Sequence, residues 1–197
     1  VTAGLAAINF FNSAGFLPIA AFLTVYVTKT VFPSGMPVNT YAVLIALANA
    51  PQVLFLAFVA PRLAGLGDRM GPMKPLALAL LANLPVSLGL IWIRELWHLA
   101  VLGLLLAIVG IVFSASFNSI VGDVYRSRRG FAYGGLNLSF SLGAALGSTL
   151  GGLLFPLGWT TLVMVSVLIQ ATALAGVVLV WRGYSSSNLQ YLQNSAA

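Results

Sequence analysis

Long apolar runs alternate along the chain with short interruptions that hold most of its charge, proline and turn-forming residues. Runs near residues 3–27, 40–62, 75–93, 97–121, 131–155 and 158–181 each approach or exceed the roughly 20 residues a helix needs to cross about 30 Å of hydrocarbon. Lipid offers no partner to an open backbone, so each run predicts one transmembrane helix. The breaks are KTVFPSGMPVN, AGLGDRMGPMK, REL, DVYRSRRG and FPLGW, each carrying Pro, Gly or charge. The third is slight: only Arg94, Glu95 and nearby His98 mark it, which predicts a short hairpin. The pattern gives an all-α membrane protein with a six-helix bundle over residues 1–183. After it comes a polar tail over 184–197, YSSSNLQYLQNSAA, expected to be loose apart from one helical turn near 189–192.

Composition supports the same class. Hydrophobic residues make up 60% of the 197 and charged residues 6%, against about a quarter charged in a typical soluble domain. There is no cysteine, which excludes disulfides, thiolate metal sites and cysteine nucleophiles. The opening VTAGLAAINFF lacks an initiator Met and a basic flank, so it reads as the interior of a helix and not as a cleavable signal.

Charge adds orientation. The formal net charge of +6 would suggest a nucleic-acid partner in a soluble protein, but here the cations lie between spans. Arg62, Arg69, Lys74, Arg126, Arg128, Arg129 and Arg182 fall on one face, and only Lys29 and Arg94 on the other. The positive-inside rule makes the crowded face cytoplasmic, with both chain ends on that side. Trp92, Trp97 and Trp159 at the outer ends and Trp181 at the inner end fit an interfacial belt.

The stretch AGLGDRMGPMK reads as a tight cytoplasmic hairpin. Gly65 and Gly67 thin the end of the second span for the approach of another backbone, Gly71 permits a positive-φ turn, and Pro72 discourages helix continuation. Asp68 opposes the macrodipole at a helix C-terminus, which calls for a compensating partner such as Arg69, Arg128 or a donor outside the chain.

This stretch resembles the loop between the second and third helices of major facilitator superfamily transporters, Gly-x-x-x-Asp-Arg-x-Gly followed by basic residues. Asp68, Arg69, Gly71 and Lys74 match, with Ala64 in place of the first Gly. Gly134, Gly143, Gly147, Gly151 and Gly152 resemble the fifth-helix pattern of drug–proton antiporters in that superfamily, with Ser148 in place of its Pro. Asp123, Arg129 and Gly130 resemble the loop that joins helices four and five.

The resemblance implies one half of a major facilitator fold: two inverted three-helix repeats whose partner is a second six-helix half, in the same chain or another subunit. It implies that Asp68, Arg69, Gly71 and Lys74, with Asp123, Arg128 and Arg129, latch the cytoplasmic ends of the halves. It also implies that the fifth-helix glycines let that helix bend and pack at the interface between halves. Both motifs are commonest in amino-terminal halves. The absence of an arginine within the fourth span instead fits a carboxy-terminal half, so both assignments stay open.

No span has a charged residue in its interior, so proton coupling cannot rest on mid-membrane carboxylates of this chain. Amides and hydroxyls remain: Asn9, Asn12 and Ser13 in the first span, Asn49 and Gln52 in the second, Ser114 and Asn118 in the fourth, Asn137 and Ser141 in the fifth. The members of each group share a helix face. The resemblance implies that these four helices face a central cavity while the third and sixth lie outside. Each such residue serves equally well as glue between helices. Gln170 and Thr172 in the sixth span, and Asn83 and Ser87 in the third, read as interhelical hydrogen bonds. Phe10, Phe11, Phe16, Tyr26, Phe113, Phe117 and Phe140 offer apolar surfaces for a substrate or for packing.

No nucleophile–base–acid set, phosphate-cradling loop or metal-spaced cluster is present in the sequence, which argues against an enzyme and implies neither cofactor nor metal. Two functions stand. One is half of a secondary transporter in a bacterial-type cytoplasmic membrane, moving a small, partly apolar molecule by alternating access, with efflux one direction open to it. The other is a non-transporting scaffold or assembly subunit of a larger membrane complex.

Overall fold

The computed structural model describes residues 2–32, 37–125 and 129–195. The chain forms α1 (Thr2–Thr30), α2 (Val38–Ala64), the short α3 (Leu66–Met70), α4 (Met73–Gly89), α5 (Leu96–Val124), α6 (Arg129–Leu154) and α7 (Trp159–Ser195). Single 3-10 turns at Leu90–Trp92 and Phe155–Leu157 extend α4 and α6. Six of these helices, all but α3, are long and apolar enough to span a membrane. Pro18 lies inside α1 and Pro85 inside α4, as membrane helices tolerate when neighbours re-satisfy the freed backbone groups.

The pairing of helices carries an internal symmetry. Substantial contacts join α1 to α6 and α7, α5 to α2 and α4, and α4 to α7. Exchanging the triplet α1, α2, α4 with the triplet α5, α6, α7 returns the same set of pairs. Three crossings are an odd number, so the second triplet enters from the opposite side. The bundle is therefore two inverted three-helix repeats with α4 and α7 meeting at the seam.

Two apolar clusters fill the bundle. One, toward the end that holds the start of α1, includes Leu5, Ile8, Leu76, Leu80, Ile120, Val121, Val177 and Val180. The other, toward the opposite end, includes Ile19, Val27, Leu90, Ile93, Leu99, Leu162 and Val163. Between them lies a layer of buried polar side chains: Ser13, Asn83, Ser87, Ser166 and Gln170. Hydrocarbon would leave such groups unsatisfied, and most of them pair inside the bundle, while Ser166 Oγ and Gln170 Nε2 are buried without a hydrogen-bond partner among the described residues. Asn83 Nδ2 donates to Gln170 Oε1 at 2.8 Å, and Ser87 Oγ donates to the same oxygen at 3.3 Å. These bonds tie α4 to α7 at the seam.

α1 and α6 run parallel and very close. Asn9 Nδ2 donates to Leu136 O at 2.8 Å, Ser13 Oγ to Phe140 O at 3.0 Å, and Ser139 Oγ back to Ala6 O at 2.5 Å. Small residues make that approach possible. A Cβ on Gly143 would overlap Ser13 Oγ and Phe10 O, one on Gly147 would overlap Ala14 O, and one on Gly151 would press on Phe22 at 2.9 Å.

Three expectations from the sequence are corrected. Over its described residues, 184–195, the tail is helical and not loose: α7 continues unbroken through Ser195. Its polar residues include no proline, and extending an existing helix is far easier than starting one. Trp159 is buried, not interfacial, with Nε1 donating to Leu90 O at 2.9 Å and its ring stacked on Tyr26 at 4.5 Å. Burying an indole is allowed because its N–H finds a partner. Gly65 and Gly67 admit no foreign backbone among the described residues, since a Cβ on either would meet only their own turn at 3.6 Å or more. Gly65 instead caps α2.

Candidate functional site

A cavity of about 460 Å³ opens between α1, α4, α5 and α6. Its position follows from the pairing of helices. α1 leans on α6 and α5 on α4, with little contact between α5 and α6, and the space between these pairs remains unfilled. Gly110 widens it further, because a Cβ there would find nothing within 4 Å.

The wall is aromatic and amide-bearing. Phe16, Phe113, Phe117, Tyr133 and Phe140 supply ring surface, and Asn9, Asn12, Asn83, Ser114, Asn118 and Asn137 supply polar groups. No Asp, Glu, Lys, Arg or His lies among the lining residues. Phe113 and Phe117 stack at 5.6 Å between centroids, and Tyr133 OH donates to Asn118 O at 3.2 Å, so part of the wall is fixed by its own contacts. The lining runs from the middle of the spans toward the end where α4 and α6 begin and α5 finishes.

Of the residues expected along a substrate route, Asn9, Asn12, Ser114, Asn118 and Asn137 come together on this wall. Gln52 and Ser141 do not reach it, and the side chain of Asn49 lies outside the described residues. The helix set differs from the one the resemblance implied: the outer helix α4 contributes Ala79, Leu80 and Asn83, and among the described residues α2 contributes none. The physical reason is that α2 packs mainly on α5 and turns its apolar surface outward, with Leu47, Val53, Leu54 and Phe58 more than half exposed. Asn83 was read from sequence as glue alone, and it both bonds Gln170 and reaches the cavity. Tyr133 and Gly110 were missed, because a tyrosine near a helix start and a lone glycine in an apolar run carry no distinguishing pattern.

The hairpin after α2 has the geometry its glycines suggest. Gly71 adopts φ +75°, and α4 restarts at Met73 directly after Pro72. Asp68 and Arg69 belong to α3, which packs on α4 and α5. The side chain of Asp68, together with Arg126 and Arg128, lies outside the described residues. Arg69, Lys74, Asp123 and Arg129 are exposed at the same end of the bundle.

In the glycine motif, Gly143, Gly147 and Gly151 meet α1 of this same bundle, where a half-to-half interface had been expected. Gly134 and Gly152 are exposed, with no atom closer than 4.0 Å to a Cβ built on either, and Ser148 is half-buried.

Comparison with known proteins agrees with this architecture. The family model described as Major Facilitator Superfamily matches residues 2–193. The chain belongs to that superfamily. Among curated proteins it is similar to the multidrug resistance protein MdtG of Salmonella arizonae, Salmonella newport and Salmonella choleraesuis. Each is 30% identical over 142 residues, covering 68% of this chain and 34% of the relative. The chain thus spans about a third of the length of the curated relatives it matches. As a member of the superfamily it is a multi-pass membrane protein, and its six apolar helices form one six-helix bundle of that fold.

Proposed function

We propose that this bundle is one half of a secondary transporter that moves a small, partly apolar molecule outward across a bacterial cytoplasmic membrane by alternating access. The observation that carries the reading is the uncharged cavity of about 460 Å³ between α1, α4, α5 and α6. Small-molecule sites fall in the range of about 300–1,000 Å³ and are mostly apolar with a few convergent polar groups. The similarity to the MdtG multidrug resistance proteins supports the efflux direction.

In this reading a second six-helix half closes the open side of the cavity, and rocking of one half against the other exposes it alternately. The end that holds Arg62, Arg69, Lys74, Arg129 and Arg182 is cytoplasmic by the positive-inside rule. The hairpin with Asp68, Arg69, Gly71 and Lys74 acts with Asp123, Arg128 and Arg129 as the cytoplasmic latch. The part of the wall this bundle supplies carries no charge among the described residues, so in this reading ion coupling rests on other groups, those of the second half included.

The test is flux in proteoliposomes that contain the intact transporter, with a fluorescent aromatic solute. Expected is concentrative movement that falls at least several-fold in Asn12→Leu and Asn137→Leu at equal protein incorporation. Absence of flux for a panel of aromatic solutes, with the protein folded, overturns the reading.

A further inference from the structure

The geometry points to Asn9 as a fixed hydrogen-bond acceptor in the cavity wall, selecting ligands that carry an N–H or O–H donor on an aromatic body. This rests on the proposal that the cavity between α1, α4, α5 and α6 binds the transported molecule.

The bond from Asn9 Nδ2 to Leu136 O is 2.8 Å long and buried. A backbone carbonyl can only accept, so the atom of Asn9 that faces it must be the nitrogen. The usual ambiguity between the two ends of a carboxamide does not arise here. With one of the two Nδ2 hydrogens committed to α6, Oδ1 is the acceptor that Asn9 has left for the cavity it lines, beside the second hydrogen on Nδ2.

Exchanging the two ends of the carboxamide would break that bond and set Oδ1 against Leu136 O. Two acceptors facing each other in a site away from water are strongly disfavoured. The backbone around Asn9 is held as well. Ser139 Oγ donates to Ala6 O at 2.5 Å and Ser13 Oγ to Phe140 O at 3.0 Å, one turn to either side of Asn9 on α1. Gly143 and Gly147 keep α6 close enough for all three bonds. Asn9 is thus an acceptor preset by helix packing, where a free surface amide could present either end.

The neighbouring wall sets the rest of the ligand. Phe16, Phe113 and Phe140 line the same cavity, and aromatic faces accept flat ring systems and polarised N–H groups. A matched pair of solutes that differ only in one donor isolates the acceptor: acridone, with a ring N–H, and N-methylacridone, without it.

The experiment measures equilibrium binding of both compounds to the purified intact transporter by fluorescence anisotropy. A hydrogen bond of about 0.5–1.5 kcal/mol corresponds to a preference of roughly 2- to 13-fold for acridone in the wild type. Asn9→Leu should bring the ratio to about one by weakening acridone alone. Ser139→Ala removes a different α1–α6 bond without touching the lining, and it should leave the ratio at the wild-type value. Should Asn9→Leu fail to fold, Asn9→Ala serves in its place, and the wild-type ratio remains a test in its own right.

Equal wild-type affinities overturn the inference and leave the transport reading standing, as does a ratio unchanged in Asn9→Leu. A ratio that collapses equally in Ser139→Ala makes Asn9 a packing residue only, which also overturns it. Binding of neither compound by folded protein counts against the cavity as a site for aromatic solutes and overturns both.

Discussion

Gly143 lies directly over Ser13, so close that any side chain on the glycine would occupy the space of the serine hydroxyl, which itself donates to Phe140 O at 3.0 Å. With the equally close approach of Gly147 to Ala14 O, this contact sets how near α6 comes to α1, and that distance fixes the wall on which Asn9, Asn12 and Asn137 meet.

Gly143→Leu should destabilise the bundle by about 1–3 kcal/mol, the usual cost of forcing bulk into a packed site. Gly134→Leu, in the same motif but with nothing within 4 Å of its Cβ, should leave stability unchanged. Thermal unfolding in detergent compares the two. Equal losses would mean that α6 does not pack on α1 as described.

At the seam between repeats, the Asn83–Gln170 bond should show a coupling energy of about 0.6 kcal/mol, and no more than about 1.7, in a double-mutant cycle with alanine. Ser87 donates to the same oxygen at 3.3 Å and softens the loss in Asn83→Ala. A coupling near zero would show that the amides find other partners when the helices separate.

Gly110 predicts a size limit. Gly110→Trp should abolish binding of bulky solutes while smaller ones still enter, because Gly110 lines the cavity and a Cβ there has nothing within 4 Å, which leaves room for added bulk. An undiminished affinity for the largest ligands would place their site elsewhere.

The hairpin after α2 depends on Gly71, whose φ of +75° and ψ of 146° suit glycine alone. Gly71→Ala should cost about 1–3 kcal/mol, and Gly65→Ala, at φ −72°, should cost little. Comparing their resistance to proteolysis at this loop separates backbone strain from loss of a small residue. Equal cleavage rates would argue against the turn geometry.

The apolar runs by themselves determined six helices and the places where they break, because a hydrocarbon solvent forces each span to satisfy its backbone alone and leaves only charge, Gly and Pro to mark the turns. Likewise Gly71 announced its positive φ, and Asn83 and Gln170 announced a bond in a medium where no water competes. Which helices meet was decided by tertiary structure. Nothing in the sequence states that α2 turns outward, that α4 reaches the cavity, or that Gly143, Gly147 and Gly151 face α1. A small residue in a membrane helix permits a close neighbour without naming it, and an amide offers two atoms without saying which is free. Only packing α1 against α6 brought Leu136 O to Asn9 Nδ2, and with it the direction in which that carboxamide points.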